Sequence, residues 1–140
     1  MASEVTVSRA GPATLAFVEG LHEALAELAA GAPDIPEDDL ALFTLAVIEI
    51  ATNIAVHSPR GDETVSLVVE LSAGDELRAT LRDSAAPVQL DLGARTMVDA
   101  LAEAGRGLAI AAAACDELSV ERSGGNVWRL VRRLGPDVRR

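Results

Sequence analysis

The chain has 140 residues and a mass of 14.5 kDa, with 49% hydrophobic and 24% charged residues, which is enough for one domain with its own hydrophobic core. It contains no lysine, and its formal net charge is −10 at pH 7. Because such a charge repels a phosphate backbone, we expect no direct binding to nucleic acid.

The first predicted elements are a strand and two helices. In EVTVSR (residues 4–9), valines alternate with polar residues, which indicates a strand with one solvated face. Between Ala13 and Ala30, apolar residues recur at spacings of three and four, which predicts an amphipathic helix that ends before Gly31. A turn rich in proline and acidic residues then precedes a second helix, which we expect to run to about His57.

The segment ETVSLVVELSAGDELRATLRD (residues 63–83) follows the helix-breaking sequence SPRGD and predicts a hairpin of two strands around the tight turn AGDE. Residues 84–104 have weak periodicity and mixed polarity. We therefore expect a mobile loop there, with a possible short helix over residues 96–103.

The C-terminal part of the chain predicts a helix and a second hairpin. The helix lies in GRGLAIAAAACD (residues 105–116), and the hairpin in ELSVERSGGNVWRLVRR turns at Gly124 and Gly125. The order β-α-α-β-β-loop-α-β-β predicts an α+β fold, a two-layer sandwich with a mixed or antiparallel sheet covered by helices on one face. We expect residues 1–140 to form a single domain.

Three features favour a soluble cytoplasmic protein. The longest apolar stretches are interrupted by Glu49, Asn53 or Asp116 before they reach the roughly 18 to 20 residues that a membrane span needs. The N-terminus has no basic region followed by an apolar one, as a secretory signal would. The single cysteine, Cys115, excludes an intramolecular disulfide, which suits a reducing compartment.

The second helix carries a polar stripe, because Glu49, Asn53 and His57 recur four residues apart within the apolar stretch FTLAVIEIATNIAVHS. At 100° per residue, Glu49 and Asn53 lie off the arc that faces the core. The residues of that arc are Leu40, Phe43, Val47, Ile50 and Ile54. A carboxylate near apolar surroundings is costly unless it is paired, hydrogen-bonded or bound to a cation.

Two explanations of this stripe remain open on local grounds. In the structural one, Glu49 pairs with an arginine, Asn53 holds a backbone group, and His57 is a helix C-terminal residue favoured by the dipole. In the functional one, the stripe faces a divalent cation and a polyphosphate. Mg²⁺ suits this arrangement because it takes oxygen ligands, commonly one or two protein groups together with substrate phosphates.

Two further segments are candidate nucleotide-binding sites. In LRDSAAP, Asp83 ends a strand, where its carboxylate could accept a hydrogen bond from an exocyclic amine such as that of adenine, or cap the strand in an Asx turn. In EAGRGLAIA, Gly105 and Gly107 stand at the start of a helix, where backbone N–H groups can face phosphate oxygens. Alternatively, these glycines only allow a turn with positive φ.

Taken in order, these segments resemble the motifs of the GHKL ATPase superfamily, which share a histidine-kinase-like ATPase domain. EIATNIAVH resembles the N-box, RDSAAP the first glycine box and GRGLAI the second, and SGGNVWRLVRR is similar to the closing strands. The resemblance extends from about Leu40 to Arg133. Within the superfamily, the chain most resembles the small single-domain anti-sigma-factor serine kinases.

The resemblance implies a role for each matched residue. Asn53 would coordinate the Mg²⁺ that bridges the phosphates of ATP, and Glu49 would be the base that orients or deprotonates the attacking hydroxyl. Asp83 would accept the adenine amino group, with Ala85 at the position of the box glycine. The phosphates would be held by Gly105, Arg106, Gly107 and Leu108. His57 follows the family pattern without an assigned role.

The resemblance also implies partners. Such kinases bind a sigma factor to silence it, phosphorylate a serine of a STAS-type anti-sigma antagonist, use ATP and Mg²⁺, and are commonly dimers. A second hypothesis is a regulatory binding module that sequesters a partner with weak or no ATP binding. A histidine kinase is disfavoured, because no helix with a phosphoacceptor histidine is expected before the domain.

Two residues depart from the family pattern. Ala85 replaces the glycine of the first glycine box, and Asn126 stands where a threonine often follows the glycine of the last hairpin. If the loop keeps the family conformation, an alanine in a left-handed conformation costs about 1 kcal/mol or more. This predicts weak ATP binding that Ala85→Gly tightens by up to about tenfold.

Overall fold

The computed structural model describes residues 4–57, 64–85, 106–122 and 124–134. Within these ranges the elements follow the predicted order. The strands are β1 (Val5–Pro12), β2 (Ser66–Ala73), β3 (Glu76–Asp83), β4 (Glu117–Arg122) and β5 (Asn126–Arg133). The helices are α1 (Leu15–Gly31), α2 (Glu37–His57) and α3 (Arg106–Ala114). The possible helix over 96–103 and most of the predicted loop lie outside the described residues.

The five strands form one antiparallel sheet in the order β1-β2-β3-β5-β4. The helices contact one face of this sheet: α1 packs on β1 and β2, α2 on β3 and β5, and α3 on β4. Along β2 and β3 every second residue is buried, as the strand period of two requires. The other face carries charge pairs such as Arg82 with Glu70 at 3.5 Å. The predicted α+β sandwich is confirmed.

Helix α2 is the central helix, because it packs against α1, α3 and the sheet. The side chains of Phe43, Val47, Ile50 and Ile54 are fully buried, as its periodicity predicts, whereas Leu40 near the start of the helix is only partly buried. The prediction that no segment is long and apolar enough for a membrane span is wrong by length and composition alone, since the part from Glu37 to Val56 meets both criteria. A core helix of a soluble protein meets the same criteria, and the fully buried arc of α2 faces the sheet.

Arg132 on β5 connects the start of α2 to the end of α3. Its Nε donates to Oδ1 of Asp39 at 2.9 Å, and one terminal nitrogen forms an ion pair with the same oxygen at 2.9 Å. Its other terminal nitrogen donates to the carbonyl oxygen of Ala114 at 2.8 Å. Hydrogen bonds in which the donor is charged are stronger than hydrogen bonds between neutral groups. This contact therefore helps to fix the relative position of the two helices that carry predicted site residues.

Candidate functional site

The polar stripe of α2 lies at the edge of the core. Glu49 and Asn53 are both half-buried and stand one helical turn apart. Exposed apolar side chains of Leu42, Leu45 and Val56 belong to the same helix. His57 is the last residue of α2, and its side chain lies outside the described part of the structure.

Glu49 lies against the start of α3. A Cβ atom added to Gly107 would clash with Oε2 of Glu49, so the absence of a side chain at residue 107 is what admits this carboxylate. The first backbone N–H groups of a helix have no partner within the helix, and the positive end of its dipole favours negative charge. The contact thus places a carboxylate, one turn from an amide, beside an anion-favouring helix start.

The second glycine box is described from its second residue onward. Helix α3 begins at Arg106, whose side chain lies outside the described part of the chain, as does all of Gly105. The side chain of Leu108 is buried in the core, with 3% exposure. Any contact of Leu108 with a phosphate would therefore come from its backbone N–H.

Asp83, the last residue of β3, is buried with 5% exposure and accepts three hydrogen bonds. Its Oδ1 accepts from the backbone N of Ala85 at 3.0 Å and from Nδ2 of Asn126 at 2.9 Å. Its Oδ2 accepts from Nε1 of Trp128 at 3.4 Å. The bond from Ala85 is the side-chain to backbone contact of an Asx turn, so the structural alternative for Asp83 is present in the fold.

Ala85 does not adopt the left-handed conformation that the family resemblance suggested. None of the described non-glycine residues has positive φ, whereas Gly124 and Gly125 do, at 70° and 151°. The methyl group of Ala85 is buried, with 4% exposure, and joins the hydrophobic core. The prediction of backbone strain at Ala85 is therefore wrong, because the loop leaves β3 through an Asx turn and not through a left-handed residue.

Sequence reasoning missed the partners of Asp83. In the sequence, Asn126 stands out only as a departure from the family pattern, and no local pattern distinguishes Trp128. The register of β3 and β5 pairs Asp83 with Asn126, and Trp128 follows two residues later on the same face of the sheet. The hairpin turn at Gly124 and Gly125 would have given the register of β4 and β5, but nothing local indicates that β5 pairs with β3.

Other possible sites do not coincide with these motifs. A groove of about 400 Å³ lies on the opposite face of the sheet, lined by residues of β1, β2 and β3 such as Ser8, Glu70 and Arg82. Among the described residues, no group of three or more His, Cys, Asp or Glu side chains could hold a metal ion. Mg²⁺ is commonly held by one or two protein groups together with phosphate oxygens, an arrangement to which Asn53 could contribute one ligand.

Comparison with known families agrees with the arrangement of the motifs. The sequence profile of the histidine kinase-like ATPase domain matches residues 11–132, which is most of the chain. This chain belongs to the histidine kinase-like ATPase family. The predicted membership of the GHKL superfamily is thereby confirmed, and nucleotide binding is the property that the family implies. A search of curated proteins gave no match.

Two solved structures share the fold of this histidine kinase-like ATPase domain. One contains the RsbU and RsbW domains of Rv1364c from Mycobacterium tuberculosis, with 20% identity and a TM-score of 0.57 over 95% of this chain. The other is the histidine kinase domain of the blue-light activated histidine kinase EL346 from Erythrobacter litoralis, with 19% identity and a TM-score of 0.55 over 88% of this chain. The matches span 32% and 61% of those chains, and at such identities they show the fold alone.

Proposed function

We propose that this chain is an ATP-dependent protein serine kinase and anti-sigma factor of the cytoplasm. In this proposal it binds a sigma factor and phosphorylates a serine of a STAS-type anti-sigma antagonist. The observation that carries the proposal is the contact of Glu49 with the start of α3 at Gly107, one turn from Asn53. A structural neighbour that contains an RsbW domain supports the choice of this branch of the family.

The residues present fit a bound nucleotide with Mg²⁺. The glycine at position 107 admits the Glu49 carboxylate to the start of α3, where the backbone N–H groups and the helix dipole favour negative charge. Asn53 offers an amide oxygen for the cation, and Asp83 offers a buried carboxylate for an exocyclic amine. The backbone N–H groups of Gly107 and Leu108 would donate to phosphate oxygens, together with Gly105 and Arg106.

The chemistry assigned to Glu49 is that of a general base. ATP, when bound, supplies the γ-phosphoryl group, and Mg²⁺ neutralises charge on its phosphates. Glu49 takes the proton of the attacking serine hydroxyl, while the serine oxygen forms the new bond to phosphorus. The bond from phosphorus to the ADP oxygen breaks, and ADP leaves with its electron pair. The half-buried position of Glu49 lets solvent reach it for release of the proton.

The proposed partner interaction follows from charge. The net charge of −10 and the exposed acidic residues Glu37 and Asp38 in the first turn of α2 favour a partner surface with basic residues. We therefore propose a one-to-one or two-to-one complex with a sigma factor and no direct contact with nucleic acid. Size-exclusion chromatography with light scattering measures the stoichiometry, including any homodimer. A complex that carries nucleic acid through moderate salt would contradict this part of the proposal.

The deciding experiment is a calorimetric titration with MgATP, followed by a γ-phosphate transfer assay on a STAS-domain protein encoded nearby. Asn53→Ala should abolish Mg²⁺-dependent ATP binding, since alanine is well tolerated in a helix. Glu49→Ala should keep ATP binding but slow transfer by roughly 10²- to 10⁴-fold. Glu23→Ala is the matched control, because it removes an exposed carboxylate from α1, a helix that carries none of the proposed site residues. Equal losses in all three variants would contradict the assigned roles.

The second candidate function is a binding module without phosphotransfer. It is favoured by the hydrogen bonds of Asp83, which accepts three donors from the chain itself and so has a structural role without any nucleotide. In that case the chain would bind its sigma factor in the absence of ATP and show no heat of binding with MgATP. Such a result would exclude the kinase and leave the sequestering module.

A further inference from the structure

The two oxygens of the Asp83 carboxylate are unequally satisfied. Oδ1 accepts two hydrogen bonds of ordinary length, 2.9 Å from Asn126 and 3.0 Å from the Ala85 backbone. Oδ2 accepts one long bond of 3.4 Å from the indole nitrogen of Trp128. A carboxylate oxygen has two acceptor positions, so Oδ1 is occupied by the chain, whereas Oδ2 retains capacity for one more donor.

The residues around this carboxylate are closely packed. Asn126 and Trp128 are 1% and 2% exposed, and both lie on β5, directly paired with β3. Gly125 precedes them, and a Cβ at that position would clash with the backbone carbonyl oxygen of Asp83. The backbone segments at Gly125 and Asp83 therefore approach each other closely. Within the described part of the chain, no ion pair involves Asp83. Its orientation therefore depends on three neutral N–H donors.

We propose that Asn126 and Trp128 are positioning residues that set the base selectivity of the nucleotide site through Asp83. Asn126 holds Oδ1 and thereby presents Oδ2 as the acceptor for the exocyclic amine of a purine. Trp128 shares Oδ2 with that amine and weakens its hydrogen bond. This inference rests on the proposed function, because it takes Asp83 as the residue that contacts the base.

The chemical consequence is selectivity for a base with an amine at this position. Adenine donates from its exocyclic amine, whereas hypoxanthine carries a carbonyl oxygen there and would oppose the carboxylate with a second acceptor. A site that offers only an acceptor rejects such an analogue, because neither oxygen finds a donor. The ratio of the dissociation constants of ITP and ATP therefore measures how well Asp83 is oriented.

The main test compares two substitutions at residue 126. Threonine and valine have nearly the same shape and both suit a strand, but only threonine keeps a donor for Oδ1. We expect the wild type to prefer MgATP over MgITP by about tenfold or more. Asn126→Val should lower that ratio by about fivefold or more, and Asn126→Thr should retain most of it. Equal ratios for the valine and threonine variants would overturn the role of Asn126.

Trp128→Phe should move the ratio in the opposite direction. Phenylalanine keeps an aromatic ring but removes the indole N–H, so the amine of adenine no longer shares Oδ2 and the ratio should rise by about two- to threefold. The matched control is Val127→Ala, since Val127 is also buried on β5 but points to the opposite face of the sheet. A general loss of stability would weaken the binding of both nucleotides alike and leave the ratio of their dissociation constants unchanged. A fall in the ratio for Trp128→Phe, or no change, would overturn the role of Trp128.

An independent readout uses the single tryptophan of the chain, which gives one indole N–H resonance in a ¹H–¹⁵N spectrum. MgATP should shift this resonance more than MgITP does at saturation, and Asp83→Asn should abolish the difference. Identical shifts with the two nucleotides would contradict the sharing of Oδ2. If the wild type binds no ATP at all, the proposed function fails and this inference with it. If ATP binds but every variant keeps the wild-type ratio, the inference alone fails.

Discussion

Gly107 at the start of α3 lies so close to Glu49 on α2 that a Cβ at residue 107 would clash with Oε2 of the carboxylate. The two residues lie in the segments that resemble the second glycine box and the N-box, within the part of the chain that matches the histidine kinase-like ATPase domain. Their contact joins the helix start proposed to bind phosphates to the carboxylate proposed to accept a proton. The position of the proposed base thus depends on a glycine in another helix.

Gly107→Ala should slow phosphotransfer with little change in stability. The clashing atom is the end of a flexible side chain, so the fold can adjust by moving Glu49, and we expect the free energy of unfolding to change by less than about 1 kcal/mol. Phosphotransfer should fall by roughly 10- to 100-fold, because the base is displaced. Gly20→Ala on α1 is the control, since its Cβ meets nothing within 4 Å and should raise stability by roughly 0.5–1 kcal/mol.

A double-mutant cycle tests whether Gly107 acts through Glu49. In the Glu49→Ala background, Gly107→Ala should cause little further loss of transfer rate, because the displaced group is already absent. Additive losses would show that residue 107 affects phosphate binding by itself.

Ala85→Gly should not tighten ATP binding. Ala85 has no positive φ in the described structure, so glycine relieves no strain there, and the buried methyl group is lost. We expect a dissociation constant for MgATP within about twofold of the wild-type value and a loss of stability of about 1 kcal/mol. Tightening of about tenfold would show that the nucleotide-bound loop adopts the left-handed conformation after all.

The two glycines of the last hairpin should differ in their tolerance of alanine. At Gly125 a Cβ would clash with the backbone oxygen of Asp83, and φ is 151°, so Gly125→Ala should cost more than about 2 kcal/mol. At Gly124 the space is open and only φ of 70° opposes alanine, which costs roughly 1–2 kcal/mol. Urea denaturation of both variants measures the difference. A larger loss at Gly124 would contradict the close approach of β5 to Asp83.

Cys115 should make stability depend on pH in alkaline solution. Burial raises the pKa of its thiol from 9.0 to about 11, although Arg132 opposes the shift. Between pH 9.0 and 11 the unfolded chain therefore loses the thiol proton while the folded chain keeps it, so the free energy of unfolding should fall as pH rises through this window. The chain has no lysine and no tyrosine, whose side chains would titrate in the same window.

Thermal unfolding at a series of pH values, with Cys115→Ser alongside, measures this effect. The serine variant should show a smaller decline over the same window, because its hydroxyl does not titrate there. The folded wild type should also react slowly with iodoacetamide at pH 8, where the thiol stays protonated. Parallel declines for both proteins, or alkylation as fast as in the unfolded chain, would contradict the raised pKa.

The secondary structure elements and the order of the motifs could be predicted from local patterns in the sequence. The spacing of Phe43, Val47, Ile50 and Ile54 set the buried face of α2, and the four are fully buried. Strand alternation and the turn at residues 124 and 125 located the hairpins. These features could be predicted because helical and strand periods, and the need for glycine at positive φ, act over a few neighbouring residues.

Which side chains of the candidate site meet depends on how distant segments of the chain pack together. The contact of Glu49 with Gly107 depends on how α2 packs against α3, and the cluster of Asp83, Asn126 and Trp128 depends on β5 pairing with β3. Both result from burial of residues far apart in the chain, which no local pattern encodes. For the same reason the sequence offered an Asx turn at Asp83 only as one alternative. The hydrogen bond from Ala85 to Asp83 forms only where the surrounding core holds that carboxylate in place.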